Sequence, residues 1–133
     1  MASTPEFLAT PRESFVTIST ANTARDGTGT MGTLITGAAS GTLITRIIVI
    51  AAGTTTAGVV RLFKSNDSGS TKQLREEIVV PAITPSTTVS VWSGRFRFAT
   101  LSEPILLVGT TDILYVSTNN AESFNAFCQG GDL

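Results

Sequence analysis

The feature that most limits what this chain can become is its punctuation. No stretch of ten or more residues carries apolar positions at i, i+3, i+4 and i+7 without a Gly, Pro or β-branched interruption, so an amphipathic helix has nowhere to form. Instead Val, Ile, Thr and Phe recur in short runs between turn residues. The runs are 14–20, 31–36, 43–52, 58–64, 72–80, 87–92, 95–98, 104–108, 113–117 and 123–128. Ser93-Gly94 separates two of them as a tight turn or as a bulge in one longer strand, and either option keeps Phe96 and Phe98 on one face. Runs 58–64 and 72–80 face each other as a hairpin. About eight or nine strands at roughly ten-residue spacing predict an all-β chain, an antiparallel β-sandwich or jelly-roll-like single domain, with a closed barrel as the alternative.

Run 43–52 stands apart because both of its faces are apolar, with Leu43, Ile47 and Val49 on one and Ile44, Ile48 and Ile50 on the other. A strand of that kind is either central and covered on both sides or placed at a subunit contact, which makes Ile44, Ile48 and Ile50 candidates for such a contact. Residues 1–13 differ again. They hold Pro5 and Pro11 and only Phe7 and Leu8 as large apolar anchors, a composition suited to an extended N-terminal arm ahead of a domain over 14–133. Phe7 and Leu8 are the candidate partner-binding residues of that arm, which would dock by adding an extended segment to a neighbour's sheet edge. The alternative is a disordered tail.

Charge and side-chain chemistry exclude several functions. In 133 residues, 9 Lys and Arg face 10 Asp and Glu, a net charge of −1. That leaves no broad basic field for nucleic acid or an anionic membrane. Histidine is absent and Cys128 is the one cysteine. His relays, Cys–His nucleophiles, Cys/His zinc sites and an intrachain disulfide are therefore all removed. The longest apolar run, 47–52, is far short of the roughly 20 residues that span a bilayer, and the N-terminus has no signal-peptide pattern. No cofactor is expected.

Three motifs and two groups of side chains suggest chemistry. Gly27-Thr28-Gly29-Thr30-Met31-Gly32 matches GxGxxG in letter, yet the pattern needs a preceding strand, a following helix and an acid about 20 residues on. None is present, so the segment reads as a flexible glycine loop. Residues 35–41 resemble the cofactor loop of short-chain dehydrogenases, but Leu43 replaces that family's last glycine and no Lys follows Tyr115 at the required spacing. Ser65-Asn66-Asp67-Ser68-Gly69-Ser70-Thr71 looks like the Ser-x-Asp-x-Gly-x-Thr part of the Asp-box of sialidase-like proteins, with Lys72 where the box has tryptophan. Here Asp67 and Gly69 are read as a structural turn, the carboxylate accepting turn amides and the glycine supplying a positive φ. Among the acids, Glu76 and Glu77 are adjacent and so point to opposite faces of a strand, unable to flank one glycosidic bond. Lys72, Arg75 and Glu77 instead mark an edge strand. Trp92 and Tyr115 are the aromatics that a carbohydrate platform would need, although core filling competes for them.

Taken in order, Thr45-Arg46-Ile47, Arg61-Leu62-Phe63-Lys64-Ser65, Asp67-Ser68-Gly69-Ser70-Thr71-Lys72, Ile113-Leu114-Tyr115-Val116 and Gly130-Gly131-Asp132 resemble small β-rich virion structural proteins of tailed bacteriophages. The resemblance implies a non-enzymatic head decoration or cement protein, or a tail component, assembled in the host cytoplasm. It implies partners among major capsid or tail proteins and copies of the chain itself, with a trimer favoured by analogy. A tail- or baseplate-associated or carbohydrate-binding host-attachment module is the alternative.

Overall fold

The computed structural model describes residues 8–133. Among these residues it is all β: nine strands form two antiparallel sheets packed as one sandwich. In chain order they are β1 (Thr10–Ile18), β2 (Gly32–Thr36), β3 (Thr42–Ala51), β4 (Gly58–Ser65), β5 (Gln73–Val80), β6 (Ser93–Arg95), β7 (Ile105–Leu107), β8 (Ile113–Thr118) and β9 (Phe124–Asp132). The first sheet has the order β1-β9-β3-β6, with β7 pairing the same edge of β3 further along. The second has the order β2-β8-β4-β5. Two separate sheets make a sandwich rather than a closed barrel. Between them lie Ile18, Ile44, Ile47, Val49, Leu107, Phe124 and Cys128 from the first, and Leu34, Val60, Leu62, Leu114 and Val116 from the second, with Phe96.

Five expectations are corrected. The strand expected from residue 14 begins at Thr10, so the last residues assigned to the arm belong to the sheet. Thr10 pairs Asp132, and the ladder runs without a break to Ile18 opposite Phe124. Arg12 fastens this end by donating to the Thr36 carbonyl at 2.9 Å and meeting Asp132 Oδ1 at 3.3 Å. Pro11 is tolerated because β1 is an edge strand, with β9 as its one neighbour among the described residues.

The run 87–92 is not a strand. The Ser86 hydroxyl accepts the amides of Thr88 and Val89, and this local turn outcompetes a ladder. Ser93-Gly94 is neither a turn nor a bulge but two-thirds of β6, paired with Val49 and Ile50. Phe96 and Phe98 do not share a face: Phe96 is core, while Phe98 is 50% exposed. The Glu76 carboxylate captures the amides of Arg97 and Phe98 at 2.8 and 3.1 Å and turns the chain away there.

The fifth correction concerns β3. Register slips by one residue between Ile44 and Arg46, where Ile44 pairs Gly130 and Arg46 pairs the next residue, Gln129. The bulge at Thr45 reverses the phase of the strand. Ile44 therefore joins Ile47 and Val49 in the core at 0% exposure and cannot be a contact residue, whereas Ile48 and Ile50 remain half-buried on the outer face.

Candidate functional site

The sandwich treats its two outer faces differently, and that difference defines the candidate site. On the outside of the second sheet, Arg61 is 2% exposed and Phe63 and Tyr115 are also buried. Residues 19–31 cross this face and close it. Arg61 donates to Glu77 Oε1 at 2.7 Å, to the Asn22 carbonyl at 3.0 Å and to Asn119 Oδ1 at 3.1 Å. Arg25, from the crossing loop, meets the same Glu77 oxygen. Asn22 pins the loop from within, its amide donating to the carbonyls of Thr28 and Thr30 at 3.0 Å each. The GxGxxG glycines serve this path: Gly29 has φ of 85° and packs so closely on the Asn22 side chain that a β-carbon would not fit. The glycine loop is thus pinned rather than flexible.

Desolvation pushes Glu77 upward, but the hydrogen bonds from Arg25 and Arg61 outweigh it and hold the carboxyl below its ordinary value.

The hairpin between β4 and β5 turns as the Asp-box likeness implies. Asp67 Oδ1 accepts the Ser65 hydroxyl at 2.7 Å and the Thr71 amide at 2.8 Å, which lowers its pKa. Ser68 and Gly69 both have positive φ. Lys72, standing where the box has tryptophan, donates to the Gly69 carbonyl and lies 4.9 Å from the Tyr115 ring centroid. Strand β5 is the edge strand that Arg75 and Glu77 marked.

The other sequence candidates are dispersed. Glu76 and Glu77 do point to opposite faces, one capping the turn at residues 97–98 and the other holding Arg61. A further acid, Asp112, accepts the Val108 amide and meets Lys64 Nζ at 3.4 Å. Trp92 stands edge-on to Phe124 at 5.9 Å, while Tyr115 lies under Lys72 on the other sheet, so the two do not form one platform. Cys128 is fully buried and its thiol is pushed up to about 11 by desolvation. Ser117 Oγ is buried with no hydrogen-bond partner among the described residues. It borders a cavity of about 120 Å³ shared with Thr17, Thr20 and Thr30, below the size that usually houses a small ligand. Among the described residues no three His, Cys, Asp or Glu side chains cluster for a metal, and no helix is long and apolar enough to cross a membrane.

Among the described residues, nothing crosses the outer face of the first sheet. Its register sets side chains in transverse rows. Phe15 lies beside Phe127, Phe127 beside Ile48 and Ile48 beside Arg95. One row over, Thr17, Asn125, Ile50 and Ser93 align. On the other side Glu13, Gln129 and Arg46 align, then Pro11, Gly131, Leu43 and Leu106. Phe15 is 79% exposed, and with Phe127 it walls a shallow cleft of about 420 Å³ bordered by Glu13, Thr17 and Asn125. Sequence reasoning placed Ile48 and Ile50 at such a face but missed Phe15 and Phe127. Their signal was present in the alternation of 11–18 for Phe15 and of 124–128 for Phe127, where every second residue faces outward. Of the arm residues, Leu8 packs against Gly131 at the end of β9, and Phe7 lies outside the described residues. In comparisons with known proteins, no family model matches the chain, and no curated protein and no solved structure is significantly similar to it.

Proposed function

We propose that this chain is a non-enzymatic structural component of a bacteriophage virion, a homo-oligomer that decorates and stabilises a capsid shell or belongs to the tail. The observation that carries the reading is the unequal treatment of the two faces. One is sealed by residues 19–31 through a buried arginine network; the other keeps Phe15, Phe127, Ile48 and Ile50 in one patch that no described residue crosses. An apolar sheet face rimmed by polar side chains is what a protein contact requires. A Thr-rich β framework with a buried, unreactive thiol also suits a particle that must persist outside a cell. The family resemblance supplies the phage context, the partner class of major capsid or tail proteins, assembly in the host cytoplasm and the preference for a trimer.

Purified particles of the source phage, analysed by mass spectrometry and electron microscopy, test it. The chain is expected in many copies at symmetry-related positions on head or tail. Its absence from washed particles would overturn the reading.

A further inference from the structure

We infer that the open face of the first sheet pairs with the same face of a second copy of this chain, about a two-fold axis running along β9. This deepens the proposed structural role, since it rests on the reading that the chain works by association. It identifies the occupant of one face.

The argument is charge register. The row Glu13–Gln129–Arg46 crosses three neighbouring strands, with an acid on β1, a neutral amide on β9 and a cation on β3. Gln129 already donates to Glu13 Oε2 at 2.9 Å, which holds the carboxylate over the sheet. A two-fold axis along the central strand exchanges the β1 and β3 sides while leaving position along the strands unchanged. It sets Glu13 of one copy against Arg46 of the other, twice, and Gln129 against itself. In the next row the same operation puts Phe15 against Ile48 and Phe127 against Phe127, so the apolar centre covers itself. An axis perpendicular to the strands brings no such pairs together. Aligned packing of two sheets within about 30° is also the ordinary way for sheet faces to meet, and a closed two-fold contact is the commonest self-association.

Size sets the strength. Three strands face their mates, because β6 lies beyond the partner copy's β1; at about 4.8 Å spacing and some nine residues of about 3.4 Å each they present on the order of 450 Å² per copy. Both copies together bury about 900 Å², the range of a weak, reversible contact. Arg95, beyond the edge of the facing β1, stays on the rim.

The test uses the full chain and measures its self-association by analytical ultracentrifugation over a concentration series. Glu13→Arg and Arg46→Glu each place like charges together twice, and each is expected to weaken dimerisation about tenfold. The double variant restores the pairs in reverse and is expected to return close to the wild-type affinity. Phe15→Glu, at an exposed position, is expected to weaken it about a hundredfold by burying unpaired carboxylates, with circular dichroism showing each variant folded. Dimers or trimers that ignore all four variants would overturn this interface and leave the association reading standing. A monomer at every concentration would overturn the pair outright, and the presence or absence of the chain on particles then decides the broader reading separately.

Discussion

Replacing Arg61 by Ala is the sharpest test of how the second sheet is closed. The guanidinium is buried and makes three hydrogen bonds, to Glu77, the Asn22 carbonyl and Asn119. Breaking a buried ion pair from one side costs about 3–5 kcal/mol, because the remaining charge stays desolvated. Glu77 keeps Arg25, which moves the expectation to the lower end. The orphaned Asn22 carbonyl adds roughly 1 kcal/mol. The expected loss is about 3–4 kcal/mol in urea titration with an unchanged m-value, or roughly 10–15 °C in Tm for a domain of this size. Arg61→Met with Glu77→Met should recover most of it, since a well-packed apolar pair substitutes for a buried ion pair without large cost. Glu77 has a depressed folded-state pKa, so its contribution is complete above the ordinary carboxyl value and fades as pH falls through the folded one. Arg61→Ala should therefore lose less stability than the wild type as pH falls below the ordinary carboxyl value of 4.5. A loss under about 1 kcal/mol at neutral pH would refute the view that this network holds residues 19–31 in place.

Three further outcomes are expected. Gly69→Ala, forced to keep a φ of 94° beside the Tyr115 hydroxyl, should cost about 1–3 kcal/mol by urea titration; an unchanged midpoint would show that the hairpin turn relaxes freely. Cys128, with its thiol at about 11 and no exposure, should fail to react with a thiol reagent at pH 8 until denaturant is added; rapid native labelling would contradict its burial. Ile44→Ala should cost about 2–5 kcal/mol as a core truncation, while Ile50→Ala on the open face should cost clearly less; equal losses would contradict the phase assigned to β3.

What the sequence made legible followed from composition and alternation, and what it hid followed from long-range competition. The strand set was readable because β-branched runs and turn residues alternate sharply, and the hairpin at 65–71 because Ser65, Asp67 and Gly69 each have a local job in the turn. Run 87–92 misled because Val89 and Val91 look like strand residues, while the Ser86 hydroxyl supplied a nearer partner for the backbone. Residues 10–13 misled because Pro11 suggested an arm, whereas its pairing partners, 129–132, lie at the other end of the chain. The open face was half legible: Ile48 and Ile50 announced it from within one strand. Phe15 and Phe127 could be joined to them only once β9 was known to lie between β1 and β3.

The bulge in β3 links the core to the open face, and it yields the last prediction. Without an extra residue, strict alternation would place Arg46 on the same side as Ile44 and Ile48, so either a guanidinium would enter the core or Ile44 would leave it. Thr45 absorbs the conflict, its hydroxyl donating to the Gln129 carbonyl at 3.3 Å. Ile44 and Ile47 then both face inward, and Arg46 is delivered to the row opposite Glu13. If Thr45 is the inserted residue, removing it leaves Ile44, Ile47 and Val49 inward and Arg46, Ile48 and Ile50 outward, the same pattern on an unbulged strand. Deletion of Thr45 should therefore give a folded protein that loses no more than about 2 kcal/mol, chiefly from the changed local twist. Deletion of Ile48 should prevent folding, because it drives one half of the strand's apolar set to the wrong face. Thermal melts of the two single-residue deletions decide the matter. If both unfold the chain alike, the phase change at Thr45 is not what sorts the two faces of this strand.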